Sequence, residues 1–187
     1  MKRQQGLEIV ALSGPVCGGK TTLAQAMRGH LGYTIVRTRH WLEERLVSGA
    51  PAKRSHRFAL QNLGNKLDGE TRGAWIAEAV VARLHGRETR VVVDAVRTDD
   101  QLAALRTIGH VTHIHVTASD KDLRTRYAAM SEQEPATEFE SYEDVREDQT
   151  ESFVQRLKDS ADVVVDTSEG SSADELVRTL TSRLVGQ

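Results

Sequence analysis

Eight residues near the start of the chain, Gly14-Pro15-Val16-Cys17-Gly18-Gly19-Lys20-Thr21, place glycine, lysine and hydroxyl groups at the spacing G-x-x-x-x-G-K-[ST]. The chemistry that needs this spacing is the binding of a phosphate chain. Glycines let the backbone curl so that successive N–H groups point at one anion. A helix that starts directly afterwards aims its positive end at the same place. Lys20 reaches the outer phosphates, and the Thr21 hydroxyl suits a Mg²⁺ ion. Thr22 continues the turn, so residues 14–22 are the expected ATP site. Cys17 reads as a small filler of the loop.

A second group lies further along. Asp94 ends the run Arg90-Val91-Val92-Val93-Asp94. An acid at the end of a buried strand is placed to share the Mg²⁺ if that strand lies next to the one that leads into the phosphate loop. Arg97 follows three residues later and suits a two-pronged contact with a substrate phosphate. Arg39 and Arg57 add positive charge on the same, acceptor side. Arg124 and Arg126 sit on one helix but on different faces, and one of them is expected to cover the transferring phosphate. His110, His113 and His115 alternate with other residues, two of them sharing a face, but no carboxylate or cysteine is spaced to complete a metal site.

The elements that must hold these residues follow from pattern. Residues 8–12 are a short apolar strand and 20–30 a helix, ended near Gly29 or Gly32. Residues 33–36 are a second strand, with Arg39 just past its carboxyl end, where ligands lie in open α/β sheets. Helices are expected over 41–47, 57–64 and 75–84, with a polar turn at 68–73. Strand 90–94 is followed by a helix over 101–107 capped by Asp99. Strand 111–116 leads to a helix that begins at Ser119 or Asp120 and runs to Met130. An acidic loop covers 131–140, a helix 141–158, a strand 162–166 and a closing helix 173–184. Five strands alternating with helices predict an α/β fold, a parallel sheet with helices on both faces.

Composition bounds the rest. The 187 residues suit one domain, and 28% charged with 39% hydrophobic residues is a globular balance. The formal charge of −2 gives no overall pull toward nucleic acid or membrane. Charge is uneven locally: residues 28–57 carry seven Lys/Arg against two Glu, and residues 131–151 nine acids against Arg146 alone. The basic stretch is where an anionic substrate is expected. One cysteine allows no intrachain disulfide. No window approaches a membrane span, so a cytoplasmic location is expected.

The order of these features resembles the nucleoside monophosphate kinases, and more distantly dephospho-CoA kinase. Arg57-Phe58-Ala59-Leu60-Gln61-Asn62-Leu63-Gly64, followed by Trp75-Ile76, is similar to the R-x-x-L-Q-x-x-G…W-[IV] segment of phage-type deoxynucleoside monophosphate kinases. Asp94-Ala95-Val96-Arg97 resembles their D-x-x-R. A related group, which phosphorylates the hydroxymethyl group of a modified pyrimidine in DNA, looks much the same here. The resemblance implies a three-layer P-loop NTPase fold with a helical acceptor-binding insert at about 37–85 and a lid at about 127–145. It implies that Arg57 and Gln61 face the acceptor, that Asp94 serves metal or acceptor, and that Arg97 holds the acceptor phosphate. Arg124 would be the lid arginine, and Lys20, Asp94 and Arg124 the catalytic groups. ATP and Mg²⁺ are the expected cofactors and a small nucleotide the expected acceptor, with DNA as the alternative. A nucleotide-dependent switch without an acceptor is the third reading. The acidic segment 132–151 departs from adenylate-kinase lids, which usually carry several arginines.

Overall fold

A computed structural model describes residues 6–46, 56–84, 86, 88–133, 141–147, 149–168 and 175–178. The strands are β1 (Glu8–Ser13), β2 (Thr34–Arg37), β3 (Arg90–Asp94), β4 (His110–Thr117) and β5 (Val163–Asp166). They form one parallel sheet in the order β2-β3-β1-β4-β5. The helices are α1 (Lys20–Leu31), α2 (Thr38–Glu43), α3 (His56–Thr71), α4 (Trp75–Arg83), α5 (Asp99–Arg106), α6 (Asp120–Gln133), α7 (Tyr142–Glu147) and α8 (Gln149–Arg156).

The central strands read as unbroken apolar runs because both faces are covered. Ile9, Ala11, Val91 and Val93 face one side, against Trp41 of α2, Trp75, Ile76 and Val80 of α4, and Leu102 and Leu105 of α5. Val10, Leu12 and Val92 face the other, against Leu23, Ala24 and Met27 of α1. Alternation along each strand thus divides one hydrophobic run between two cores. Each fully buried Val, Leu or Ile contributes about 1.5–3 kcal/mol. A smaller cluster joins α6 and α7 through Leu123, Tyr127, Tyr142 and Val145 and touches Val16 and Cys17 of the loop after β1.

Several boundaries differ from the sequence pattern. The expected helix 57–64 and turn 68–73 are largely one 16-residue helix, α3. Leu60, Leu63 and Leu67 keep a helical spacing toward the core and carry the helix through its polar second half. It stops where Arg72 and Gly73 take φ 50 and 72. α2 begins at Thr38, so Arg39 is helical. Thr98, not Asp99, caps α5: its side chain accepts from the Gln101 N–H, and Asp99 occupies the first turn. Ser119 caps α6 by accepting from the Asp122 N–H. Of the helix expected over 141–158, α7 and α8 are helical on either side of residue 148, which lies outside the described residues. α6 extends to Gln133, into the expected acidic loop, and 134–140 lie outside the described residues. Of the closing helix, 175–178 are helical and the remainder lies outside the described residues. No helix among the described residues is long and apolar enough to cross a membrane.

Candidate functional site

Parallel pairing brings the carboxyl ends of the strands to one edge, and the site is built there. β1 runs into the phosphate loop, residues 14–19, which delivers the chain to α1. Gly14 has φ 138, and a Cβ on it would lie 2.0 Å from the Val116 carbonyl oxygen. Only glycine lets the loop leave the sheet this close to β4. Gly19 at the head of α1 has φ 91, and the Gly18 N–H closes the curl on the Pro15 carbonyl at 3.1 Å. Lys20 Nζ donates to the carbonyls of Gly14 (2.7 Å) and Pro15 (2.6 Å), so the ammonium folds back over the loop.

β3 lies next to β1, with Leu12 opposite Asp94. Thr21 Oγ1 accordingly donates to Asp94 Oδ2 at 2.8 Å. A hydroxyl and a carboxylate on adjacent elements form the hard oxygen pair that Mg²⁺ takes, with waters completing its shell. Thr38 touches the next peptide. Its Oγ1 lies 3.2 Å from the Ala95 carbonyl and accepts from the Ala95 N–H at 3.3 Å.

A cavity of about 270 Å³ opens between this loop, α2, α3 and the segment after β3. Gly14, Val16, Cys17 and Lys20 line it from the phosphate loop. Arg39, Gln61 and Arg97 line it from the other walls, so three of the four expected acceptor residues come together. Arg57 lies in the first turn of α3, and its side chain lies outside the description. Arg39 Nε also donates to Glu43 at 2.8 Å.

The same cavity contains residues that sequence reasoning missed. Asp68 accepts from Trp75 Nε1 (2.6 Å) and, through both oxygens, from Gln101 Nε2 (2.9 and 3.0 Å). Gln101 Oε1 accepts the Arg97 N–H at 2.8 Å. This network ties α3 to the segment bearing Asp94 and Arg97. Burial pushes the Asp68 carboxyl above its ordinary range, against the lowering effect of its donors Gln101 and Trp75.

The two arginines of α6 divide. Arg126 donates to the Cys17 carbonyl (3.3 Å) and to Thr167 Oγ1 (3.0 Å), beside the phosphate loop. Thr167 Oγ1 lies 2.9 Å from the Gly18 carbonyl. Arg126 and Thr167 line a second cleft with Gly18, Gly19, Lys20, Thr21 and Thr22. Arg124, the expected lid arginine, instead pairs with Asp120 and Glu143 and lies over the Tyr142 ring. It lines neither cleft. Thr167 follows the last strand, and the rule that ligands gather past strand ends was the signal for it. Among the described residues no group of three or more His, Cys, Asp or Glu could hold a metal.

A family model described as an AAA domain matches residues 10–152, from inside β1 to the middle of α8. The chain belongs to the AAA domain family. The match spans the phosphate loop, Asp94 and both α6 arginines. No curated protein matches the chain. Among solved structures it is similar to shikimate kinase from Acinetobacter baumannii in complex with shikimate, at 16% identity over 96% of this chain and 94% of that one, TM-score 0.59. It is also similar to the Mycobacterium tuberculosis APS kinase in complex with AMPPNP and APS, at 17% identity over 99% of each chain, TM-score 0.59. A putative kinase from Chloroflexus aurantiacus shares 18% identity over 95% of this chain and 98% of that one, TM-score 0.59. At such identities the likeness is one of fold: a five-stranded parallel sheet with helices, the α/β fold of P-loop kinases.

Proposed function

We propose that this protein is an ATP-dependent kinase that moves the γ-phosphate of ATP to a (deoxy)nucleoside monophosphate or a similar small nucleotide. One observation carries the reading: a single cavity is lined both by the phosphate loop, including Lys20, and by Arg39, Gln61 and Arg97. A nucleotide switch needs the loop but not a second cationic wall. Phosphoryl transfer needs both, because its catalysis is mostly positioning and charge neutralisation. The solved relatives named as shikimate and APS kinases support transfer to a small acceptor. The resemblance of residues 57–64 and 94–97 to deoxynucleoside monophosphate kinases favours a nucleotide.

In this reading residues 14–22 hold ATP, and Thr21 and Asp94 hold Mg²⁺, which neutralises charge on the phosphates. Lys20 spans the donor phosphates and the shared cavity. Arg97 and Arg39 hold the acceptor's anionic group, with Arg57 and Gln61 on its other side. Residues 37–85 form the acceptor insert and residues about 127–145 the lid. Arg126, already bonded to the loop, takes the role that the resemblance assigned to Arg124.

The test is a screen with γ-labelled ATP over all nucleoside monophosphates, dephospho-CoA, and DNA with and without hydroxymethylated bases. Label should move to a free nucleotide and should not move in a Lys20→Ala variant. Transfer only to hydroxymethylated DNA would replace the acceptor. ATP binding with no transfer to any acceptor would overturn the kinase reading.

A further inference from the structure

Ser13 is the last residue of β1, one position before the phosphate loop, and it is fully buried, as are His113 and His115 of β4. Ser13 Oγ lies 2.7 Å from His113 Nε2 and 2.9 Å from His115 Nδ1. The other nitrogen of His113, Nδ1, lies 3.4 Å from the Ser160 carbonyl oxygen. A carbonyl only accepts, so His113 Nδ1 carries the proton and His113 Nε2 is an acceptor. The Ser13 hydroxyl then donates to His113, which leaves its oxygen to accept from His115 Nδ1–H. Donation runs one way, from His115 to Ser13 to His113 to Ser160. Both imidazoles are neutral and protonated at Nδ1. The reverse order would set the His113 Nδ1 lone pair against the Ser160 carbonyl. His115 Nε2 remains a buried lone pair with no partner among the described residues.

We propose that this relay makes Ser13, His113 and His115 positioning residues for nucleotide binding: it anchors the entry of the phosphate loop to β4, and it holds only while both imidazoles are neutral. The loop leaves the sheet pinned at two successive residues. Ser13 is opposite His115 in the register and bonded to it, and Gly14 packs against Val116 too closely for any side chain. Loop amides converge on phosphates only if the loop starts in the right place, and a shift of about 1 Å is costly in such sites. A proton added to His115 Nε2 would bury an N–H and a charge with no acceptor. A proton added to His113 would strand the Ser13 hydroxyl hydrogen. The charged groups around them are mixed. Lys20 and Lys158 oppose a charge on His115 while Asp159 favours it, and Asp162 and Asp99 favour a charge on His113 while Arg106 opposes it. Burial outweighs these influences and keeps both imidazoles below their ordinary range. The inference rests on residues 14–22 binding a nucleotide and is independent of the acceptor.

The experiment joins histidine ¹⁵N NMR with calorimetry of Mg²⁺–ADP binding. At pH 7.5 both imidazoles should appear neutral and protonated at Nδ1, a reading that needs no variant. Ser13→Ala and His115→Leu should weaken ADP binding by about 10-fold or more, the scale of one buried hydrogen bond. His115→Asn, whose side-chain N–H replaces the lost donor, should bind within about 3-fold of wild type. Either imidazole protonated at Nε2, or His115→Leu binding as tightly as wild type, overturns the relay alone. A wild-type protein that does not bind ADP overturns the nucleotide site and the relay's role together.

Discussion

Thr21 and Asp94 stand 73 residues apart in the chain and 2.8 Å apart in space. Both were legible from local context: the loop spacing marks Thr21, and three valines before Asp94 mark a central strand that ends on an acid. Asp94→Asn keeps the size of the side chain and removes its charge. It should lower phosphoryl transfer by about 100-fold, the scale of losing one electrostatic contact to the transition state. Initial rates at saturating ATP and several Mg²⁺ concentrations check this. Asp68 was not legible, because it opens the stretch from Asp68 to Gly73, which looks like a polar turn. What makes it part of the site are Trp75 and Gln101, 7 and 33 residues away. Asp68→Ala strands the Trp75 indole N–H and the Gln101 amide. The expected cost is about 1–3 kcal/mol for each group left unpaired, read from urea unfolding midpoints. The α6 arginines show the same limit. Sequence places both on one helix, but Arg126 bonds both the loop and Thr167, after the last strand, which itself stands beside the loop.

At the scale of elements, the strands were easier to read than the helices. A strand buried on both faces shows as a run of apolar residues, and all five appear in the sequence near where they form. The helix boundaries moved because caps and tertiary contacts decide them. α3 continues through its polar half since Leu67 packs on the core, and α5 starts at Asp99 since Thr98 caps it. The turn between α3 and α4 is set by Gly73, with φ 72. A Cβ there would lie 2.6 Å from the Gln101 backbone nitrogen and 2.7 Å from the Asp100 carbonyl carbon. Gly73→Ala therefore pushes this turn away from the N-terminus of α5. The expected destabilisation exceeds about 1 kcal/mol, seen as a lower thermal midpoint. ADP affinity should stay near wild type, because the disturbed contact lies on the acceptor wall.

At the scale of the whole molecule, the two buried histidines make stability depend on pH. Burial lowers both imidazoles, His115 to about 4 from an ordinary 6.5. Between those values the unfolded chain binds a proton that the folded chain refuses, so stability rises with pH there. It should be flat with respect to these groups above about pH 6.5 and fall as pH drops toward 4. For His115 alone the loss approaches roughly 3 kcal/mol at the lower end. Urea unfolding at pH 7.5, 6 and 5 tests this. A flat profile, or one that falls with rising pH, would contradict the buried neutral pair.

The sequence by itself determined the class of sheet, the phosphate loop and a central strand that ends on an acid. Those depend on short-range spacing: the loop on glycines within eight residues, the strands on runs of apolar side chains. Only the tertiary structure decided which residues share a cavity. The order β2-β3-β1-β4-β5 sets Asp94 beside the loop and Ser13 beside His115. Packing of α3 against the segment after β3 sets Asp68 beside Gln101. These neighbours are brought together by sheet pairing and buried hydrogen bonds between distant segments, and neither leaves a periodic mark in the chain.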